Sequence, residues 1–417
     1  FGSSHRVEPG GRQTHRHPMA AAEHNESISP AGGATSIKGN AAGSRIAALN
    51  GTAGVLVTAS ASTVLALQSA IEAVLPAADE STSVMVFFAR PVLGFAVAAL
   101  LLPLLQRSSG PTASISSLGL AMLAPLAFVP KSLLSYHWAA LSGAFIKVPL
   151  LCTLLHGEPS WGGWRVAGAF YGILLGPMIT ALNLPEDTQR VLLATLALCF
   201  STMHFAVANH WTAQQVERNS DVPLAIPAWL SLAGVACAWL LLSVQVALLP
   251  LLHALHGHHL TDHQMALGAS LLLSSLVLRE WSPKRLILAL CISAAACALT
   301  MRSVAQALGG YNAWQLQAFS LITQLSLGVL LASALQIGRL STGPAEASVL
   351  GCALAAAAFF GEGLGLVLQL LLLPALGALG TLKVLALLPL SYAFWSLRHL
   401  SAICHSDDFQ ETIEVKT

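Results

Sequence analysis

Three ionisable side chains interrupt long apolar stretches of this sequence, and each of them needs a physical account. Lys147 stands in SGAFIKVPLL, Glu362 in FFGEGLGL, and Lys383 in a leucine-rich stretch further on. An ionisable group in the middle of a membrane-spanning helix costs at least about 2.5–3.5 kcal/mol on insertion scales. Lys147 is therefore a candidate contact for an anion or carboxylate, or a group that exchanges protons. The structural alternatives are a lysine that pairs with a neighbouring helix or that snorkels to the membrane surface.

Two ion pairs are predicted from depth along the helices. Glu362 and Lys383 lie roughly 24 and 22 Å from the same side of the membrane at the α-helical rise, and consecutive helices often pack together, so we expect them to pair. Glu72 and Arg90, near the outer ends of the first two apolar stretches, form a second candidate pair. Structural neutralisation is the simpler role for both pairs. Glu362, Lys147, Glu72 and Arg90 are the candidate proton-coupling residues.

Composition indicates that the surrounding medium is a membrane. The 417 residues are 55% hydrophobic and 9% charged, against a charged share of about 25% in soluble proteins. The apolar residues form blocks of roughly 20, the length that crosses the hydrocarbon core as an α-helix. The predicted fold class is an all-α integral membrane protein with twelve transmembrane helices in two six-helix bundles. A net charge of +1 gives no electrostatic argument for nucleic-acid binding.

The most polar interior connection divides the predicted spans into two sets of six. The resulting organisation is a disordered tail (1–46), an N-terminal bundle (47–211), a central loop (212–227), a C-terminal bundle (228–400) and a second tail (401–417). The spans lie near 51–76, 84–105, 114–131, 138–156, 162–183, 189–210, 228–252, 264–279, 285–302, 312–337, 346–369 and 376–398.

The positions of lysine and arginine predict the orientation. With a cytoplasmic N-terminus, the inner segments hold fourteen of the 20 lysines and arginines and the outer loops hold three. We therefore expect a multi-pass protein of the cell inner (plasma) membrane with both termini in the cytoplasm.

No metal or cofactor is expected. Six of the seven cysteines lie inside apolar blocks and none forms a C-x-x-C pair, which favours packing over disulfides or metal binding. The tract HALHGHHLTDH (253–263) contains histidines three and four residues apart, but Gly257 interrupts it and no cysteine joins it. The sequence also contains no nucleotide-binding loop of the G-x-x-x-x-G-K-S/T type.

A regular series of helix-breaking residues stands in the segment GGWRVAGAFYGILLGPMITAL (162–182). Glycines four residues apart lie on one helix face and let a neighbouring backbone approach closely. Pro177 removes a backbone hydrogen bond and bends the helix. We expect a closely packed helix that acts as a hinge between open states. The series consists of Gly163, Gly168, Gly172, Gly176 and Pro177.

The spacing of Gly163, Gly172, Gly176 and Pro177 resembles the antiporter signature in the fifth helix of the major facilitator superfamily, G-x8-G-x3-G-P, with small residues replacing its final glycine pair. Other signatures of that family are only partly present. In the loop after the second span, Arg107 is the one matching charged residue, and the fourth span lacks the usual arginine. The chain is thus identified as a divergent member.

The resemblance implies alternating access, with helices one, four, seven and ten around a central cavity. It implies candidate substrate-binding residues on three of those helices: Lys147, Trp314, Gln315, Gln324 and Gln245. The lone His204 of the sixth span is expected to be hydrogen-bonded packing.

The leading functional hypothesis is proton-coupled antiport that exports a small amphipathic organic molecule from a monomeric protein in the lipid bilayer. Uptake of an anionic solute or metallophore, anchored by Lys147, is an alternative. A non-transporting scaffold or sensor is a third. An enzyme is not expected, because no nucleophile motif and no cluster of His, Asp and Glu stands at a membrane boundary.

Overall fold

The structure, a computed structural model, describes residues 33–73, 80–105, 110–129, 132–155, 159–182, 184–212, 228–256, 260–310, 313–341 and 346–414. Within these ranges the chain forms twelve α-helices and a short 3-10 turn at Ala124–Ala127. The helices are α1 (Gly33–Ala73), α2 (Glu80–Leu105), α3 (Gly110–Leu123), α4 (Leu133–Leu155), α5 (Pro159–Thr180), α6 (Glu186–Thr212), α7 (Ala228–His256), α8 (Leu260–Leu278), α9 (Pro283–Gly309), α10 (Ala313–Leu340), α11 (Ala347–Leu385) and α12 (Leu387–Glu414).

The helices form because a bilayer offers no water to the backbone, so each spanning segment satisfies its own N–H and C=O groups. Seven stretches of the described chain are long and apolar enough to cross a membrane, and three shorter apolar helices accompany them. This pattern is that of a multi-pass membrane protein. Each of the first eleven predicted spans coincides with one helix, and the twelfth covers the end of α11 and the start of α12.

The last two spans meet at Gly377, which has a φ of 65° inside α11. Glycine reaches this left-handed conformation without a steric penalty, so the chain can turn there. Before the turn, Gly361 lies against Ala236 of α7. After it, Tyr392 donates a hydrogen bond to the carbonyl of Leu230, nearer the start of α7, at 2.7 Å. The chain therefore runs along α7 in one direction before Gly377 and returns after it.

Helix packing in α1–α6, the N-half, repeats in α7–α12, the C-half. In the N-half α3 packs against α4 and α6, and α2 packs against α4; in the C-half α9 packs against α10 and α12, and α8 packs against α10. Glycines produce the same close approach twice, where Gly172 of α5 lies against Ala59 of α1 and Gly361 of α11 lies against Ala236 of α7. No repeat is visible in the sequence, because small residues at contact points define this arrangement rather than a fixed residue order.

The two halves meet along a few helices. α5 packs against α8, and α11 packs against both α2 and α4. Under the internal repeat α5–α8 is the counterpart of α11–α2, which is the relation expected of two halves joined by a pseudo-two-fold axis. This contact region between α2, α4 and α11 contains the candidate site.

Helical structure extends into both of the predicted tails. α1 begins at Gly33, so that part of the segment predicted to be disordered is helical, and α12 continues to Glu414. Phe1–Ile46 and Ala47–Thr417 group as two separate units. The boundaries predicted between the two bundles and the central loop remain predictions.

Candidate functional site

Lys147 lies in a largely buried helix. Within the α4 span Leu134–Leu155, 72% of an 18-residue apolar window is buried, the largest such share among the candidate spans that the structure describes. Lys147 itself is 8% exposed, and its neighbours Ile146 and Val148 are fully buried. The side chain therefore does not snorkel to a membrane surface, and its charge has to be compensated by other helices.

Glu362 on α11 supplies that compensation, and the same carboxylate also pairs with a second cation. Its Oε1 lies 3.1 Å from Nε of Arg90 on α2. Its Oε2 lies 3.9 Å from Nζ of Lys147 on α4. Two cations of the N-half thus meet one carboxylate of the C-half, and we refer to Arg90, Lys147 and Glu362 as the charge cluster. Its formal charge is +1 when all three groups are ionised.

Two aromatic rings enclose the ammonium of Lys147. Its Nζ lies 4.3 Å from the ring centroid of Trp239 on α7 and 4.3 Å from that of Phe359 on α11. Ring faces attract a cation electrostatically, and the attraction grows when water is excluded. Gly94 of α2 makes room for the Phe359 ring, since an added Cβ would lie 2.5 Å from its Cζ. The C-half thus surrounds a lysine of the N-half with one carboxylate and two aromatic rings.

The charge cluster is buried at one end and open at the other. The side chains of Lys147 and Glu362 are 10% and 12% exposed, whereas that of Arg90 is 42% exposed. Neither Nζ of Lys147 nor Oε2 of Glu362 makes a hydrogen bond within the described structure. Their 3.9 Å separation exceeds a hydrogen bond, so hydrogen-bonding capacity of both groups remains available.

The expected Glu362–Lys383 pair is wrong. Glu362 pairs with Arg90 and Lys147, and Lys383 is exposed. Depth along a helix is readable from the sequence, but the direction in which a side chain points relative to neighbouring helices is not. The Glu72–Arg90 pair remains a prediction, because the side chain of Glu72 lies outside the described part of the structure.

The polar residues predicted on α10 do not form one small site. Trp314 is 69% exposed near the start of the helix, and Gln315 beside it is partly buried. Gln324 is 4% exposed and lies ten residues further on, which is about 15 Å along an α-helix. The side chain of Gln245 on α7 and the tract 253–263 fall outside the side chains that the structure describes.

The glycine face of α5 packs as expected. An added Cβ on Gly172 would lie 2.7 Å from the backbone nitrogen of Thr63, and one on Gly176 would lie 2.8 Å from that of Leu67. Gly168 faces α1 as well. The predicted close approach of a neighbouring backbone is thus confirmed, and the neighbour is α1.

The other two motif residues lie apart from this contact. Gly163 faces the side chain of Arg279, which follows α8 in the C-half, with an added Cβ 2.7 Å from its Cδ. Pro177 lies near the end of α5, and the helix continues through it to Thr180. The hinge role of this helix remains a proposal.

His204 is hydrogen-bonded packing, as predicted. Its Nε2 lies 2.8 Å from Oγ of Ser60 on α1, and its Nδ1 lies 3.0 Å from Oγ of Ser116 on α3. The residue is fully buried. It joins three helices of the N-half.

Sequence reasoning missed the aromatic residues beside Lys147 and assigned Arg90 to another partner. Trp239 and Phe359 are apolar residues in apolar spans, and nothing in their spacing distinguishes them from packing residues. The one available signal was that Arg90, Lys147 and Glu362 are all ionisable residues within spans, which made each pair among them a candidate.

Comparison with known proteins gives a structural match. No protein-family model and no curated protein sequence matches the chain. Its structure is similar to that of the human organic anion transporter MFSD10, at 15% identity and a TM-score of 0.64, over 84% of this chain and 99% of that one. It is also similar to a bacterial homologue of the iron transporter ferroportin in an outward-facing state, at 11% identity and a TM-score of 0.62, over 85% of this chain and 98% of that one.

A third similar structure is that of the major facilitator superfamily transporter FucP in an outward conformation, at 11% identity and a TM-score of 0.56, over 83% of this chain and 98% of that one. The chain has the major facilitator fold. The predicted fold class is thereby confirmed, as is the divergence that the reduced signatures indicated. At these identities the likeness concerns the fold, and the chemistry has to be argued from the charge cluster.

Proposed function

We propose that this protein is a secondary active transporter that moves a small amphipathic organic molecule across a membrane by alternating access. The observation that carries the proposal is the charge cluster, in which Arg90 and Lys147 of the N-half meet Glu362 of the C-half. Buried ionisable groups between helices of a membrane protein mark substrate and ion pathways. Groups contributed by the two halves of such a transporter also change their separation when the halves rock.

The glycine spacing of α5 favours export over uptake, with protons as the exchanged ion. Its glycines follow the antiporter-type spacing, and Gly172 and Gly176 give α5 the close contact with α1 that such a hinge needs. Uptake of an anionic solute is the second candidate, and the observation that favours it is that two cations, Arg90 and Lys147, meet at Glu362. The similar human transporter carries organic anions according to its description.

Transport assays in inside-out vesicles with an acidified interior test the proposal. Lipophilic cations, organic acids and metallophores are added one at a time while the pH gradient is followed. A compound that collapses the gradient only when the protein is present supports proton-coupled export and identifies the substrate class. Loss of a preloaded compound from the vesicle interior that depends on the protein favours the second candidate, because that movement corresponds to uptake into the cell.

Two variants assign the activity to the site. Lys147→Ala is expected to abolish the response, whereas Lys383→Ala, at an exposed position outside the cluster, is expected to retain it. If the folded protein moves no compound in either direction, the transport proposal is refuted and a scaffold or sensor role gains support.

A further inference from the structure

We infer that Trp239, Phe359 and Glu362 form a binding site for an alkylated ammonium group, and that the ammonium of Lys147 fills this site whenever no substrate is bound. We refer to the three residues as the cation site. The inference rests on the proposed transport function and gives its substrate a chemical class, the organic cations. It also makes Lys147 the internal competitor that displaces the substrate.

The cation site belongs entirely to the C-half. Phe359 and Glu362 are three residues apart on α11, so they share one face of that helix. Trp239 stands on α7, and both rings and the carboxylate surround the same atom, Nζ of Lys147. Only this occupant comes from the N-half.

Glycines hold α7 and α11 together beside the site. An added Cβ on Gly361 would lie 2.9 Å from the carbonyl carbon of Ala236, and one on Gly365 would lie 2.9 Å from the carbonyl oxygen of Leu240. Such close backbone contact leaves the two helices little freedom to separate. The two rings and the carboxylate therefore stay together as one preformed site when the halves rock.

The position of the Lys147 ammonium suits a cation that has no hydrogen to donate. Nζ lies 4.3 Å from each ring centroid and 3.9 Å from Oε2 of Glu362, and it makes no hydrogen bond within the described structure. A primary ammonium buried in this way loses its hydrogen bonds to water without replacement. An alkylated ammonium has few or no N–H groups to leave unpaired, and ring faces attract it out to about 6 Å. The site is thus better matched to such a ligand than to the lysine that fills it.

The carboxylate of Glu362 offers one oxygen to this position. Its Oε1 lies 3.1 Å from Nε of Arg90, which orients the group. Its Oε2 faces Nζ of Lys147 and has no hydrogen-bond partner within the described structure. A ligand cation that replaces the Lys147 ammonium leaves the charge around Glu362 unchanged, so the exchange avoids an uncompensated buried charge.

Exchange of the two cations couples binding to the movement of the halves. Lys147 leaves the cation site with the N-half when the halves part at α4 and α11, and a substrate ammonium then takes its place. When the halves close again, Lys147 returns and competes with the substrate for the same position. The conformation described here therefore disfavours the bound substrate and promotes its release.

The test is the binding of three small probes to the purified full-length protein, measured by isothermal titration calorimetry. Choline carries a trimethylammonium group, 3,3-dimethylbutan-1-ol is its uncharged match of the same shape, and 2-aminoethanol is the corresponding primary ammonium. We expect choline to bind and the alcohol to show no binding. The primary ammonium should bind about tenfold more weakly than choline, because its N–H donors stay unpaired.

Variants of the occupant and of the site separate their roles. Lys147→Met removes the competitor and should bind choline about tenfold more tightly, since an occupied site lowers the apparent affinity by the fraction of time that it is filled. Lys147→Gln serves if the methionine variant does not fold. Trp239→Leu should abolish choline binding and Trp239→Phe should retain it, whereas Trp229→Leu, about 15 Å earlier along α7, should bind like the unaltered protein.

Three results overturn the inference. They are equal binding of choline and the alcohol, no gain in affinity when Lys147 is replaced, and undiminished binding by Trp239→Leu. The vesicle assay distinguishes this failure from failure of the transport function. Choline binding in the expected order by a protein that moves no compound would refute transport and leave the cation site standing, whereas transport of organic acids without choline binding would do the reverse.

Discussion

The thiol of Cys152 on α4 lies 3.8 Å from the thiol of Cys352 on α11. Two cysteines that are 200 residues apart in the chain therefore meet inside the protein, one from each half. Gly351 beside Cys352 lets the α4 backbone approach, since an added Cβ would lie 2.9 Å from the nitrogen of Cys152. The sequence predicted packing cysteines, and both are free thiols, yet their position makes them a built-in probe of the movement between α4 and α11.

Oxidation with membrane-permeant diamide is expected to join Cys152 to Cys352 and to stop transport. The two thiols lose two hydrogens to diamide, and the sulfur atoms then need to approach from 3.8 Å to about 2.05 Å. If α4 and α11 separate during each transport cycle, the bond fixes the halves in one state. Mass spectrometry of the cross-linked peptide and substrate flux measure the two effects.

The Cys152→Ala variant provides the control, because it cannot form the disulfide bond and should keep its transport activity in the presence of diamide. A thiol reductant should restore transport by the oxidised protein. Full activity with a demonstrated Cys152–Cys352 bond would mean that α4 and α11 do not part during transport.

Replacing Gly172 by alanine is expected to destabilise the protein by about 1–3 kcal/mol, the usual effect of overpacking. The added methyl group meets the α1 backbone, 2.7 Å from the nitrogen of Thr63, and backbone does not rotate away as a side chain does. The unfolding free energy in mixed micelles measures the effect.

Gly143→Ala on α4 is the matched control, because the nearest atom to its added methyl group is Oε1 of Gln68 at 3.5 Å, an ordinary contact. Alanine also favours the helix by about 1 kcal/mol over glycine, so this variant should be neutral or more stable. Equal effects of the two substitutions would show that α1 and α5 pack less closely than described here.

Removing the Glu362 carboxylate is expected to destabilise the fold by about 3–5 kcal/mol, because breaking a buried pair leaves charge without compensation. The prediction concerns Glu362→Ala, alone and combined with Lys147→Met. The double variant should lose less than the sum of the two single variants, with a coupling of about 1–3 kcal/mol. Denaturant unfolding of the four proteins gives the coupling directly.

A second double-mutant cycle distinguishes the Lys147–Glu362 pair from the Glu362–Lys383 pair that helix depth alone predicted. Glu362→Ala with Lys383→Ala should show no coupling beyond error, since Lys383 is exposed and Glu362 pairs with Arg90 and Lys147. A larger coupling for Lys383 than for Lys147 would contradict the assigned partners.

Tyr392→Phe tests the return of the chain after Gly377. Its hydroxyl donates to the carbonyl of Leu230 at 2.7 Å and joins α12 to the start of α7. Loss of this buried hydrogen bond is expected to lower the unfolding free energy by about 1 kcal/mol. Tyr171→Phe, at a tyrosine that is 51% exposed, should change it by less than about 0.5 kcal/mol, the usual limit for surface substitutions. If Tyr392→Phe left the unfolding free energy unchanged, α12 would pack against α7 differently from what is described here.

The number and position of the spans were predictable because they depend on local properties. An apolar block of roughly 20 residues becomes a spanning helix wherever it stands, since the bilayer imposes both the length and the backbone hydrogen bonding. The close contact made by Gly172 and Gly176 was predictable for a similar reason, because residues four apart share a helix face in any helix. The turn at Gly377 was not predicted in position, because it lies inside the last predicted span, 376–398.

The sequence by itself thus determined that this is a multi-pass helical membrane protein, where its helices lie and which residues carry charge at depth. The tertiary structure decided which of those charges meet. Glu362 and Lys383 agree in depth, yet the rotation of α11 about its axis directs Glu362 to Arg90 and Lys147. That rotation is the sum of many small side-chain contacts with α2, α4 and α7, among them Phe359 against Gly94 and Gly361 against Ala236. No single segment encodes it, because each contact needs residues from two helices that are far apart in the chain.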